Sequence, residues 1–123
     1  MKFVLSMHIN PAVMESLTDE ERQEIGAGHQ AFMEAITASG EMINTQALAD
    51  PSQSSVVRVR DGRAIVTDGP FLESKEFLGG FYMVDCENRE RALELAALIP
   101  DAKIEGLGIE VRQVMFSQGQ LEV

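Results

Sequence analysis

The apolar residues of this chain alternate between two kinds of spacing. Segments with the two-residue period of a strand are interrupted twice by segments with the period of a helix. Residues 2–9 open with strand alternation, and residues 18–40 follow with helical spacing. A second helical segment, residues 87–100, lies between the strand segments 79–86 and 104–116. Because both kinds of element must bury an apolar face, this order predicts a layered α+β core.

The first helical segment carries signals at both ends. Thr18 and Glu21 have the spacing of a capping box, in which the hydroxyl accepts a backbone N–H and the carboxylate reaches back. Gly40 suits the left-handed residue that ends many helices. Gly26 and Gly28 weaken the first turns and predict a late or irregular start. Four residues recur on one face of the helix: Ile25, His29, Phe32 and Ile36.

A second strand, within residues 41–51, and a small hairpin are predicted between the helices. The hairpin strands, residues 54–60 and 63–67, are joined at Asp61-Gly62, which suits a two-residue type I′ turn. Without the hairpin the order is βαββαβ, the ferredoxin-like arrangement of two helices on one face of an antiparallel sheet. We therefore expect one α+β domain over residues 1–123, ferredoxin-like with an extra central hairpin.

The ferredoxin-like arrangement leaves one face of the sheet without helices. Strand residues such as Phe81, Met83, Ile109 and Val111 are too apolar for both faces to remain in water. A second copy of the chain would cover the open face. We therefore expect a homodimer whose sheets face each other and enclose a barrel-like interior where a small-molecule ligand binds.

Composition narrows the classes of partner and cofactor. The 10 basic and 20 acidic residues give a net charge of -10, and the basic residues form no cluster, which argues against nucleic acid. Cys86 is the only cysteine, so an intramolecular disulfide and a Cys-based metal site are excluded. With two histidines and scattered carboxylates, we expect no metal and no cofactor.

The apolar segments are too short to span a membrane. None approaches the ~20 apolar residues that a membrane helix needs. The first eleven residues are interrupted by His8 and Asn10, which predicts a strand rather than a signal peptide. We therefore expect no membrane partner and a cytoplasmic location.

A polar loop, DGPFLESKE, separates two predicted strands at residues 68–76. Asp68 either caps its own turn by accepting backbone N–H groups or contributes to a site. Gly69 supplies backbone freedom and Pro70 fixes φ. Phe71 is predicted to be buried in the core. The loop is thus mainly a shaped turn, and alternatively the rim of a pocket.

The string VTDGPFLESKEFLGGFYMVD, with RALELAALIP and EVRQV further along, resembles the DGPF-domain branch of the YCII-related proteins. The resemblance extends over nearly the whole chain and implies a ferredoxin-like, dimeric α+β barrel. Most members of the family have no assigned activity. One similar protein is a dehydrochlorinase, and genes for DGPF proteins often lie beside those of extracytoplasmic-function sigma factors.

The shorter branch of the family carries a proposed His–Asp dyad, with the histidine on the first helix and an Asp-Pro after the second strand. His29, Gly40 and Asp50-Pro51 match that spacing. The resemblance therefore implies that His29 and Asp50 are catalytic. The shorter branch has a GPF-like element before the aspartate where this chain reads TQALADP, so the substrate is not carried over.

Each candidate side chain also has a structural interpretation. His29 is either a hydrogen-bonded core residue or an acid/base group, since histidine titrates near neutral pH. His8 either faces the barrel interior or lies near solvent at the end of its strand. Arg58 either binds an anionic ligand or is solvated. His8, Arg58 and Asp68 form the predicted substrate-binding set.

Two functions remain open on the sequence. The first is a small-molecule enzyme that uses a His–Asp pair for acid/base chemistry of the lyase or isomerase type. The second is a non-catalytic dimer that binds a ligand or a protein, with a regulatory role linked to an extracytoplasmic-function sigma factor. No Ser-His-Asp pattern, phosphate loop or cofactor motif selects a named reaction.

Overall fold

The computed structural model describes residues 1–119, which form six strands and three α-helices. In chain order these are β1 (Lys2–Ile9), α1 (Pro11–Glu15), α2 (Asp19–Ala38), β2 (Met42–Ala47), β3 (Ser55–Arg60), β4 (Arg63–Asp68), β5 (Phe77–Asp85), α3 (Arg89–Leu98) and β6 (Gly108–Gln113). Two short 3-10 turns, Pro51–Gln53 and Pro100–Lys103, follow β2 and α3. Within the described residues, no helix has the length and apolar character needed to cross a bilayer.

Four strands form one antiparallel sheet in the order β2-β5-β1-β6, so the first strand, β1, lies between β5 and the last strand, β6. This order and the placement of α2 and α3 are consistent with the predicted ferredoxin-like α+β arrangement. The core between helices and sheet is made by side chains from β1, β5, α2 and α3, including Phe3, Leu5, Phe32, Val84 and Leu95.

The hairpin β3–β4 is a separate two-stranded sheet. Arg60 pairs with Arg63 across the turn, and both intervening residues have positive φ, 52° at Asp61 and 74° at Gly62. Two positive φ angles in a two-residue loop define the type I′ turn that the sequence predicts. The prediction of an extra central hairpin is confirmed.

Strand register assigns the residues of the sheet to its two faces. Leu5 pairs with Tyr82 on one side and with Val111 on the other, so these three share the face that packs against the helices. Ile109 and Val111 both pack against the core. These two residues therefore belong to the helix-covered face. The open face holds the row Met83–Val4 and, one pair further along, Phe81–Ser6.

Helix α2 begins at Asp19 and continues without interruption to Ala38, so the late or irregular start predicted from its glycines was wrong. The Thr18–Glu21 capping box is present in both directions, which stabilises the first turn. Gly40 has a φ of 80°, and the N–H groups of Gly40 and Glu41 bond the carbonyls of Thr37 and Ile36. This is the Schellman pattern that the sequence indicates.

The polar loop does not bury its aromatic residue. Phe71 is 71% exposed, and its ring lies 5.4 Å from the guanidinium carbon of Arg58. Burial of Phe71 was therefore a wrong prediction, because the loop passes beside the hairpin and not over the core. Gly69 has a φ of 108°, and a β-carbon there would meet no atom within 4 Å. The glycine is required by its backbone conformation alone.

Candidate functional site

Three side chains from distant parts of the chain form one hydrogen-bonded triad. His29 Nδ1 lies 2.7 Å from the Tyr82 hydroxyl, and His29 Nε2 lies 2.8 Å from Asp101 Oδ1. The Asp101 side chain is 7% exposed and that of His29 is 22% exposed. Both ring nitrogens of His29 are thus engaged, one by a phenol and one by a carboxylate.

Each member of the triad lies on a different element. His29 is in the middle of α2, Tyr82 is on the helix-facing side of β5, and Asp101 is in the 3-10 turn after α3. The Tyr82 ring is fixed by Phe32, whose ring lies edge-on at 4.8 Å, and by the His29 ring, stacked at 5.9 Å. Aromatic packing of this kind restrains the direction of the hydroxyl.

The turn that carries Asp101 comes close to α2 because Gly28 has no side chain. A β-carbon at Gly28 would lie 2.6 Å from Cγ of Pro100, a separation that real side chains do not show. Gly28 precedes His29 and Pro100 precedes Asp101. The absent side chain therefore allows the approach that brings the carboxylate to the imidazole.

Hydrogen-bond chemistry fixes where the protons of the triad lie. A carboxylate only accepts hydrogen bonds, so Nε2 of His29 carries the proton that it donates to Asp101. A neutral imidazole then has Nδ1 as its acceptor, and the Tyr82 hydroxyl donates to it. Burial, with a smaller contribution from the Asp101 charge, raises the pKa of Tyr82 to about 12, which keeps the phenol protonated.

The triad forms part of the wall of a cavity of about 400 Å³, here called the triad cavity. Three methionines and two isoleucines are among its lining residues: Met7, Met14, Met33, Ile9 and Ile25. Its remaining walls are formed by Thr45, Gln46, Ala47, Gly79 and Gly80. An apolar cavity with a few convergent polar groups is the usual form of a small-molecule site.

Glycines shape one wall of the triad cavity. A β-carbon at Gly80 would lie 2.6 Å from the backbone oxygen of Gln46, and one at Gly79 would collide with the Ile9 side chain. Gly79 also falls where the register between β1 and β5 shifts, after the pair Met7–Gly80. The glycine pair therefore permits close approach of β2 and β5 and a bulge beside the cavity.

Asp50, predicted as the partner of His29, has a different contact. Its carboxylate accepts the backbone N–H of Ser52 at 2.9 Å and caps the turn Pro51–Gln53, and this hydrogen bond lowers the pKa of Asp50. Among residues 1–119 no ion pair joins Asp50 to His29, whose carboxylate partner is Asp101. The structure does not bring the two residues of the predicted dyad together.

Asp50 and His8 instead line a second cavity of about 730 Å³, here called the hairpin cavity. It lies between the ends of β1, β2 and β5 and the root of the hairpin. His8 pairs with Leu78 on the open side of the sheet, so His8 and His29 lie on opposite faces, as the strand alternation predicts.

The other two predicted ligand-binding residues lie on the hairpin. Arg58 is exposed on β3 and stacks against Phe71. Asp68 ends β4 and accepts a hydrogen bond from the Ser55 hydroxyl at 3.3 Å, so its contact joins the two strands at the hairpin root instead of capping the polar loop. In the described part of the chain, no group of three or more His, Cys, Asp or Glu side chains could hold a metal ion.

Tyr82 and Asp101 were not identified from the sequence, although both left signals. Tyr82 is the only tyrosine, and it shares the buried side of a strand with Val84, where a phenol needs a hydrogen-bond partner. Asp101 follows Pro100 directly after an apolar helix. Its role depends on a 3-10 turn, and residue spacing gives no sign of that turn's approach to α2.

Two comparisons place this chain among known proteins. A family model described as the YCII-related domain matches residues 1–117. An uncharacterized protein of Rhizobium meliloti (strain 1021) is 27% identical over 122 residues, and the match covers 98% of each chain. The family match extends over both cavities and all three triad residues. The chain therefore belongs to the YCII-related family.

Proposed function

We propose that this protein binds a small molecule in the triad cavity and exchanges a proton with it through His29, in a reaction of the lyase or isomerase type. One observation carries the proposal. His29 lies at the wall of an apolar cavity between a phenol that donates to Nδ1 and a carboxylate that accepts from Nε2. Asp101 takes the place that the family resemblance gave to Asp50.

The proton path follows from the hydrogen bonds. Nδ1 of His29 already accepts from Tyr82, so a substrate proton reaches the imidazole through the Tyr82 oxygen, which takes that proton as it passes its own to Nδ1. The two transfers are concerted, because the high pKa of Tyr82 disfavours a free phenolate. The imidazolium that results is stabilised by the Asp101 carboxylate.

The electrons released by the substrate determine the reaction. When the proton leaves carbon, the C–H electron pair becomes part of a new double bond. In a lyase a leaving group then departs with its own electron pair, and in an isomerase the proton returns to a different atom. Thr45 also lines the cavity, and its hydroxyl, which donates to the Phe81 carbonyl at 2.8 Å, can still accept a hydrogen bond from the substrate.

Proton transfer can be tested before the substrate is known. The assay measures deuterium incorporation from D2O into carbonyl compounds that are small enough for a cavity of about 400 Å³. The proposal expects the wild-type protein to catalyse exchange at carbon for some of these compounds. His29→Gln and Tyr82→Phe should each slow it by about 100-fold or more, in the range of acid/base catalysis. Glu34→Gln, on the exposed side of the same helix, is the matched control.

The choice of carboxylate is tested in the same assay. Asp101→Asn keeps a side chain of similar shape and removes the charge that stabilises the imidazolium, so exchange should fall. Asp50→Asn changes a residue of the hairpin cavity, so exchange should persist. If Asp50→Asn abolishes exchange while Asp101→Asn retains it, the dyad implied by the family resemblance is the active pair.

A second function, ligand binding without catalysis, is favoured by one feature of the triad. Both nitrogens of His29 are already bonded to protein groups, which is also how a structural histidine is satisfied. In that case compounds would bind in the triad cavity without deuterium incorporation. His29→Gln would then lower thermal stability and affinity but leave no catalytic difference to measure.

The proposal includes a homodimer formed through the open face of the sheet. That face holds Val4, Phe81 and Met83 without helical cover. A second copy related by a two-fold axis would cover it, so that the open faces of the two copies would lie inside one barrel-like assembly. Light scattering at micromolar concentration should give twice the single-chain mass of 13.5 kDa, and a stable single-chain mass would contradict the dimer.

A further inference from the structure

Two large apolar side chains follow the last strand without any cover. Met115 is 98% exposed and Phe116 is 79% exposed. They directly follow Val114, whose N–H bonds the backbone oxygen of Lys2 at 2.8 Å, so the chain is fixed to the sheet up to the residue before them. An adjacent pair of this kind, here called the Met-Phe pair, indicates a contact surface.

The hairpin cavity offers an apolar surface that also lacks cover. Four of its lining residues are large, apolar and exposed: Leu48, Phe71, Leu72 and Leu78. The cavity continues onto the open face of the sheet, because His8 and its strand partner Leu78 line it. A dimer formed through the open face therefore reaches the hairpin cavity as well.

The Met-Phe pair and the hairpin cavity lie at opposite ends of β1. Lys2, beside the pair, begins the strand, and His8, in the cavity wall, comes near its end. Lys2 and His8 are six residue steps apart along the strand, about 20 Å at the usual rise per residue. Within one chain the pair is not among the residues that line the cavity.

A two-fold axis perpendicular to β1 brings opposite ends of the strand together. When two sheets face each other with antiparallel strands, the Lys2 end of one copy lies over the His8 end of the other. The same contact then forms twice, as in any isologous dimer. We propose that the Met-Phe pair of each protomer docks in the hairpin cavity of a second copy of this chain.

The chemistry of the two surfaces agrees with this docking. An aromatic ring from Phe116 can pack against Phe71 and Phe77 in the cavity wall, and aromatic pairs of this kind stabilise interfaces. Met115 has the flexible thioether that fills irregular gaps. The inference rests on the proposed homodimer and makes each hairpin cavity incomplete without the partner.

The dimer dissociation constant, measured by analytical ultracentrifugation, tests the docking. The double variant Met115→Ser with Phe116→Ser should raise it at least tenfold, and Leu72→Ser, on the cavity side, should do the same. Combining the two changes should weaken dimerisation by less than the sum of their separate free-energy effects, because both remove the same contact. The control is Leu93→Ser with Leu98→Ser, exposed apolar residues on α3, which should leave it unchanged.

A disulfide provides a direct readout of proximity. Phe116→Cys and Leu72→Cys proteins, purified separately and mixed under oxidising conditions, should form a covalent pair of twice the single-chain mass. Leu93→Cys in place of Leu72→Cys should not, and the buried Cys86 is common to all samples.

Four results are distinguishable. Weaker association with the expected disulfide supports the docking. A dimer whose dissociation constant is unchanged in the Met-Phe variant, with no disulfide, overturns the docking and leaves the sheet-to-sheet dimer and the triad proposal standing. A wild-type protein that stays monomeric at all concentrations overturns the dimer and the docking together. Binding of a small apolar compound in the hairpin cavity of an intact dimer would mean that the cavity is a ligand site, which also overturns the docking.

Discussion

A β-carbon on Gly28 would lie 2.6 Å from Cγ of Pro100, so the helix that carries His29 and the turn that carries Asp101 approach as closely as a glycine allows. The two residues that make this contact precede the two residues that form the His29–Asp101 hydrogen bond. The packing of a helix against a turn and the geometry of the triad are therefore one structural feature.

Gly28→Ala should destabilise the protein and disturb the triad. The added methyl group must displace Pro100, whose ring cannot move aside as a flexible side chain can, and overpacking of this kind costs about 1–3 kcal/mol. The free energy of unfolding, from urea titration, measures the effect. Deuterium exchange into carbonyl compounds should fall as well, because Asp101 moves away from His29.

Gly26→Ala, two residues earlier on the same helix, is the matched control. A β-carbon at Gly26 meets no atom within 4 Å, so the change should stabilise the helix by about 0.5–1 kcal/mol. A destabilised Gly26→Ala, or a Gly28→Ala protein as stable as wild type, would contradict this account of the two glycines.

Tyr82 should make stability fall at alkaline pH. Its pKa is raised from 10.0 to about 12 in the folded protein, so the unfolded chain loses the phenol proton first. The stability that the raised pKa of Tyr82 contributes is fully present below pH 10 and is lost as the pH rises from 10 to 12. Unfolding free energies of wild type and Tyr82→Phe at several pH values isolate it, and the difference between the two proteins should shrink over that range. A constant difference would show that the phenol titrates normally.

Glu41 and Arg91 form a two-bond ion pair that joins the start of β2 to the start of α3. Both nitrogen–oxygen distances are 2.9 Å, and the hydrogen bonds from Arg91 lower the pKa of Glu41. A carboxyl with a lowered pKa contributes stability above its unfolded value of 4.5, and the contribution is lost as the pH falls below it. Arg91→Ala should therefore reduce the unfolding temperature at pH 7, with a smaller loss at pH 3. An equal loss at both pH values would assign the effect to packing.

Phe71→Ala should have little effect on the stability of a single chain. The side chain is 71% exposed, and its contact is the guanidinium of Arg58. Exposed cation–π contacts contribute about 0.5–1 kcal/mol, well below the cost of removing a buried phenylalanine. Urea unfolding under conditions where the protein is monomeric measures it. A loss of 3 kcal/mol or more, the order expected for a buried phenylalanine, would place Phe71 in the core after all.

The sequence predicted those parts of the fold that local chemistry determines. The Asp61-Gly62 turn, the Thr18–Glu21 capping box and the cap at Gly40 each depend on a few neighbouring residues. The helical spacing within residues 87–100 predicted α3, and Ala92, Leu95 and Ala96 form its buried face.

The sequence did not predict features that depend on how distant elements meet. The helix α1 was missed, although Asn10 caps it and Pro11 begins it. Its five residues are too few for a helical period to be recognised. Phe71 was assigned to the core because a loop has no periodic pattern to indicate its direction. His29 was identified as a candidate, but its partners lie 53 and 72 residues away, where spacing carries no information.

The position of the proton on the His29 imidazole decides whether the triad can transfer a proton as proposed. It can be read from one-bond and two-bond ¹H–¹⁵N correlations in the His8→Gln protein at pH 8, where His29 is the only histidine. We expect a proton on Nε2, donated to Asp101, and an unprotonated Nδ1 that accepts from Tyr82. A proton on Nδ1, or an imidazole that averages freely between its two tautomers, would contradict the proposed proton path.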